Sequence, residues 1–85
     1  MEIIYAPKAI KDLKHWKSSG NTKIQKRITD LIISISDDPF SGIGKPEPLK
    51  HEFAGCWSRR INDEHRIIYE ISRSAVHVLS LKDHY

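Results

Sequence analysis

The stretch that decides the fold is residues 56–83, CWSRRINDEHRIIYEISRSAVHVLSLKD. Apolar and polar side chains alternate here with a period of two in three runs, CWSRRIN, HRIIYEIS and AVHVLSLKD. The first two are parted by a turn at Asn62-Asp63-Glu64, and the third follows SRS. Three short strands joined by short turns predict an antiparallel meander. Alternation also assigns faces. With Trp57 and Ile61 inward, Ser58 and Arg60 point outward; with Ile67, Tyr69 and Ile71 inward, so does Arg66. With Leu79 and Leu81 inward, Ser80, Lys82 and His84 point outward. Arg60, Arg66, Lys82 and His84 are thereby expected on one open face of the sheet.

Upstream of the meander the period changes. EIIY (2–5) reads as a first strand, and Pro7 suits the first turn of a helix. Ile10, Leu13 and Trp16 follow at helical spacing, with Lys8, Lys11, Lys14 and Lys17 on another face. Gly20 ends this helix and Asn21 caps the next, whose apolar stripe is Ile24, Ile28, Leu31 and Ile35. Asp37-Asp38-Pro39 stops it. The short connection predicts an antiparallel helical hairpin. A Gly- and Pro-rich loop, FSGIGKPEPLKHEFAG (40–55), leads to the meander. The expected fold is α+β: an N-terminal strand and a helical hairpin packed on a small antiparallel sheet.

Composition sets the class. A chain of 85 residues, 39% hydrophobic and 29% charged, is one globular domain with one modest core. The net charge of +3 is concentrated in residues 1–30, where seven Lys/Arg face three acids, and such a surface favours a polyanionic partner. Cys56 is the only cysteine, which excludes an internal disulfide and fits the cytoplasm. Neither a leader-like segment nor an 18-residue apolar run is present, so export and membrane spanning are not expected. Metal-ligand spacings and phosphate-binding glycine patterns are likewise lacking in the sequence, and no cofactor is expected.

Four groups could carry chemistry: Glu47 between two prolines, Arg66, His84 and Tyr85. RNA is cut by attack of its own 2′-OH when a base takes the hydroxyl proton, cations meet the charge on the phosphorane and an acid protonates the departing 5′-oxygen. Carboxylate, guanidinium and imidazole suit these three tasks. Singly, each has an ordinary reading, as a loop acid, a strand-edge charge or a tail. Trp16, Trp57 and Cys56 read as packing residues.

In order, GIGKPEPLKH (42–51), WSRRINDEHRIIY (57–69) and the closing HY (84–85) resemble the YoeB/Txe toxins of bacterial toxin–antitoxin modules, within the wider RelE-like group. The resemblance implies the RelE-like microbial RNase fold and a ribosome-dependent endoribonuclease that cuts mRNA in the ribosomal A site without metal. By the same resemblance Glu47 falls on the general base, Arg66 on the residue that stabilises the phosphate in the transition state, His84 on the general acid and Tyr85 on the supporting tyrosine. Lys50 and Arg60 match basic residues of these blocks, and together with Lys82 they are expected to bind substrate. A YefM-like antitoxin and a homodimer are the implied protein partners. Asp83 stands where the family usually has an aromatic, and beside the imidazole it would favour protonated His84. Two other classes fit parts of the pattern: a protein that occupies the ribosome or RNA without cutting, and the gyrase inhibitors of the broader fold, which lack the Glu–Arg–His set.

Overall fold

The structure, a computed structural model, describes residues 1–83. Strand β1 (Glu2–Tyr5) runs into helix α1 (Pro7–Ser19), which is followed by helix α2 (Thr22–Asp37). A long loop then holds the two-residue strand β2 (Glu47–Pro48) and a single 3-10 turn (His51–Phe53). Strands β3 (Cys56–Arg60), β4 (Arg66–Ile71) and β5 (Ala75–Ser80) complete the described chain.

Local chemistry explains the hairpin of helices. Pro7 opens α1, where its missing N–H leaves no helical bond unmade, and Gly20 closes it in the left-handed conformation at φ 71°. Asn21 then caps α2, its side chain accepting the N–H of Ile24 at 3.1 Å. Ile24, Ile28, Leu31 and Ile35 are all buried, as their spacing requires. They meet Ala9 and Trp16 of α1 and Ile67, Tyr69, Val76 and Val78 of the sheet in one core. Each fully buried aliphatic side chain there contributes roughly 2 kcal/mol. Among the described residues no helix is long and apolar enough to cross a membrane.

The sheet order is β1-β5-β4-β3-β2. The meander β3–β4–β5 is antiparallel as expected. β1 corrects the expectation of an antiparallel sheet, because it pairs parallel to β5, Glu2 opposite Ala75 through Tyr5 opposite Val78, and the sheet is mixed. Parallel pairing needs a long crossover, which the helices and the other strands supply. It brings Ile3 and Tyr5 against the core beneath the helices.

A second departure lies in β5. Ile68 pairs with Ser80 but Tyr69 pairs with Val78, so Leu79 is an extra, bulged residue. Val76 and Val78 face the main core, and the alternation they set runs on through Leu79 and Ser80 and breaks at Leu81. Leu79 packs with Leu49, Cys56 and Ile68 in a second cluster, not in the main core. Ser80, expected outward, bonds toward α1: its hydroxyl accepts from Lys8 Nζ at 3.0 Å and lies 3.4 Å from Asp12 Oδ2. Leu81 returns to the main core.

Candidate active site

Glu47 is exposed on a backbone that is held from several directions. Pro46 and Pro48 fix their own φ angles and bias Glu47 toward extended geometry. Glu47 pairs with Ser58 and Pro48 with Trp57. Upstream, the Gly44 carbonyl accepts the Arg60 N–H at 2.7 Å; downstream, the Leu49 N–H donates to the Cys56 carbonyl at 2.9 Å. Gly44 and Lys45 take positive φ, 85° and 52°, which turns the loop sharply before the carboxylate. At Gly44 a Cβ would lie 2.6 Å from Leu31 Cδ2, so the loop approaches α2 closely only because no side chain is there.

Arg60 and Arg66 are directly opposed across the β3–β4 hairpin. Like charges facing each other on adjacent strands are destabilising, and such a cost is usual where a site needs the charges. The turn between them is organised by Asn62, whose side-chain oxygen accepts the N–H groups of Glu64 at 3.0 Å and His65 at 2.7 Å. Arg66 Nη1 donates to the Asn62 carbonyl at 2.8 Å and to the His65 carbonyl at 3.2 Å, so its guanidinium is fixed to the turn. Glu47, Ser58, Arg60 and Arg66 line one cavity of about 230 Å³, together with Lys45. Among the described residues none of Lys45, Glu47, Arg60 or Arg66 is engaged in an ion pair. One carboxylate beside three unpaired cations is an environment for a phosphate next to a group that must give up a proton.

Three of the expected site residues are thus brought together: Glu47, Arg60 and Arg66. Lys50 does not line this cavity; it faces a neighbouring depression formed by residues 47–53. Lys82 is also absent from the cavity and lies 3.9 Å from the Asp83 carboxylate. His84 and Tyr85 fall outside the described residues. Lys45 was missed by the sequence reading. Its place two residues before Glu47 gave no signal by itself, because only the turn at Gly44 and Lys45 brings it beside the arginines.

Arg59 was also missed. It is fully buried, and no acid neutralises it within ion-pair distance among the described residues. Neutral acceptors surround it instead. Nη1 donates to Ser34 Oγ at 2.7 Å and to the Ile43 carbonyl at 3.2 Å. Nη2 donates to the carbonyls of Asp38 at 2.7 Å and Ser41 at 2.9 Å, and Nε donates to the Tyr69 hydroxyl at 3.0 Å. Residues 38–43 are wrapped on this guanidinium, which fixes the loop that delivers Glu47. The signal was available: alternation puts Arg59 on the same inward side as Trp57 and Ile61.

The same loop shifts two titrations. The N–H of Phe40 and the hydroxyl of Ser41 bond the Asp38 carboxylate and hold it below its usual range. Burial pushes the Tyr69 phenol up, opposed by its hydrogen bond to Arg59. Cys56 is raised by burial and by Glu70, in keeping with a packing role. Among the described residues no group of three His, Cys, Asp or Glu side chains is placed to hold a metal ion.

Comparison with known proteins gives a consistent assignment. Residues 5–85 match the family described as YoeB-like toxin of bacterial type II toxin-antitoxin system. The chain is 42% identical over 85 residues to "Toxin YoeB" of Streptomyces coelicolor, covering 100% of both. Among solved structures, "YoeB/ParE toxin from Agrobacterium tumefaciens" superposes with a TM-score of 0.94 at 38% identity, covering 100% of both chains. A "YoeB-YefM complex from Staphylococcus aureus" gives 0.88 at 40% identity, and a YoeB dimer from the same organism gives 0.89 at 38%. Each of these two covers 100% of this chain and 98% of its own.

Proposed function

This chain belongs to the YoeB-like toxins of bacterial type II toxin-antitoxin systems, and on that premise we propose that it is a ribosome-dependent endoribonuclease that cuts mRNA in the ribosomal A site. The observation that carries the reading is the single cavity shared by Glu47, Arg60 and Arg66. In this reading Glu47 takes the proton of an mRNA 2′-OH, whose oxygen attacks the adjacent phosphorus. Arg66 meets the negative charge that grows on the non-bridging phosphate oxygens, and Arg60 and Lys45 hold the backbone around it. His84 protonates the 5′-oxygen as its bond to phosphorus breaks, leaving a 2′,3′-cyclic phosphate on one fragment and a 5′-hydroxyl on the other. Tyr85 supports that end of the site, and Lys50 and Lys82 bind flanking phosphates outside the cavity.

The whole of residues 1–85 acts as one toxin domain in the cytoplasm, where its substrate is translated. A YefM-like antitoxin is the partner that restrains it, and it self-associates as a homodimer; relatives solved as a YoeB-YefM complex and as a YoeB dimer support both. The test is mapping of mRNA 5′ ends in cells expressing the wild type or Glu47→Ala. New ends within translated frames are expected with the wild type alone. Growth arrest without new ends would replace the nuclease reading by simple occupancy of the ribosome.

A further inference from the structure

The β3–β4 turn holds a histidine that the reading above leaves without a task. His65 sits immediately before Arg66, and its side chain is only 13% exposed. Its Nδ1 accepts the backbone N–H of Asp83 at 2.8 Å. An imidazole nitrogen that accepts an N–H carries no hydrogen of its own, so the ring is the neutral form protonated at Nε2. The ring packs edge-on against Trp16 with centroids 4.9 Å apart. Its own carbonyl accepts from Arg66 Nη1 and from the N–H of Ile61.

The segment on the other side of this bond is tightly held. Trp16 Nε1 donates to the Leu81 carbonyl at 2.8 Å, and buried Asp12 accepts the Leu81 N–H at 2.9 Å. The Asp83 carbonyl accepts the Arg66 N–H at 2.9 Å. Asp83 itself lies at φ 69°, a left-handed conformation that Asp tolerates better than most side chains. Both peptide groups of Asp83 are therefore fixed by two consecutive residues of the turn, His65 and Arg66. The next residue in the chain is His84.

We infer that His65 is a positioning residue: through the Asp83 N–H it sets the direction in which the chain leaves the sheet toward His84, and ties that direction to the turn that fixes Arg66. The inference rests on the nuclease reading, in which His84 and Arg66 act on the same phosphate. Removing the acceptor at Nδ1 leaves Asp83 held by one bond, at a backbone angle with little intrinsic preference, and loosens the described end of the chain from the turn that fixes Arg66.

Two variants separate the bond from the packing. His65→Phe keeps a ring against Trp16 and loses the acceptor; His65→Asn loses the ring but places a side-chain oxygen near the position of Nδ1. On programmed ribosomes, His65→Phe should lower the single-turnover cleavage rate roughly 10- to 100-fold with ribosome affinity within about twofold. His65→Asn should recover most of the rate. Amide hydrogen exchange should show Asp83 protected in the wild type and in His65→Asn and unprotected in His65→Phe. Wild-type cleavage by His65→Phe, or equal losses in both variants, overturns the inference, as does full protection of Asp83 in His65→Phe. Failure of the nuclease reading shows differently: the wild type then cuts no more than Glu47→Ala, whatever the exchange pattern.

Discussion

Arg59 is the residue on which the candidate site most depends without being part of it. Its five hydrogen bonds go to three backbone carbonyls and two hydroxyls, the one to Tyr69 buried and the other four part-buried. Arg59→Ala removes all five donor contacts at once, at about 1–3 kcal/mol for each acceptor that is left shielded from water without a substitute. Unfolding by urea should show a loss of at least about 3 kcal/mol, and Arg59→Lys should recover only part of it, because an ammonium cannot span acceptors spread around a planar fork. A near-neutral Arg59→Ala would mean that residues 38–43 hold their shape unaided. That this residue escaped the sequence reading has a physical cause. A full charge at an inward position is costly, so pattern reading discounts it, and four of the five acceptors that make it tolerable come from residues 34 to 43, far away in the chain. Glu47 and Arg66 were legible because they lie in dense local motifs, and Lys45 was not, because its position depends on a left-handed turn.

Among the elements, the helices were the most readable and the last strand the least. Each apolar step of α2 is local and repeats the same geometry, so Ile24, Ile28, Leu31 and Ile35 could be placed from spacing alone. In β5 the alternation breaks between Ser80 and Leu81, next to the extra residue Leu79, so faces assigned from Leu81 come out reversed. The parallel partnership of β1 was equally hidden, since pairing across nearly the whole sequence leaves no local mark. The loop from α2 to β2 behaves as an element in its own right. Gly44 allows it to lie against Leu31, and its φ of 85° is strained for any other residue. Gly44→Ala should therefore destabilise by about 1–3 kcal/mol. It should also slow mRNA cleavage more than the stability loss explains, by moving Glu47 away from the arginines. Thermal melts and single-turnover assays on the same preparations check both parts; a stable variant with unaltered cleavage would show that the close approach to α2 does not place the carboxylate.

For the whole molecule, stability should narrow at both ends of the pH scale. Asp38 titrates below its ordinary value of 3.8 when folded, so near that value the unfolded chain binds more protons. Its contribution is complete above the ordinary value and is lost as pH falls through the folded one. Tyr69 and Tyr5 are raised above 10.0 by burial, so the unfolded chain gives up its phenol protons first and stability declines as pH rises past that value. Melting temperature should thus hold level around neutrality and fall on either side, with Asp38→Asn flattening the acid flank and Tyr69→Phe the alkaline one. An alkaline flank equally steep in Tyr69→Phe would shift that role to Tyr5. The parallel pairing of β1 with β5 has one more outcome, for synthesis. The strand made first has no partner until residues 75–78 have left the exit tunnel, and β5 also separates it from the rest of the sheet. Until then a nascent chain carries helices and a first strand but no finished sheet.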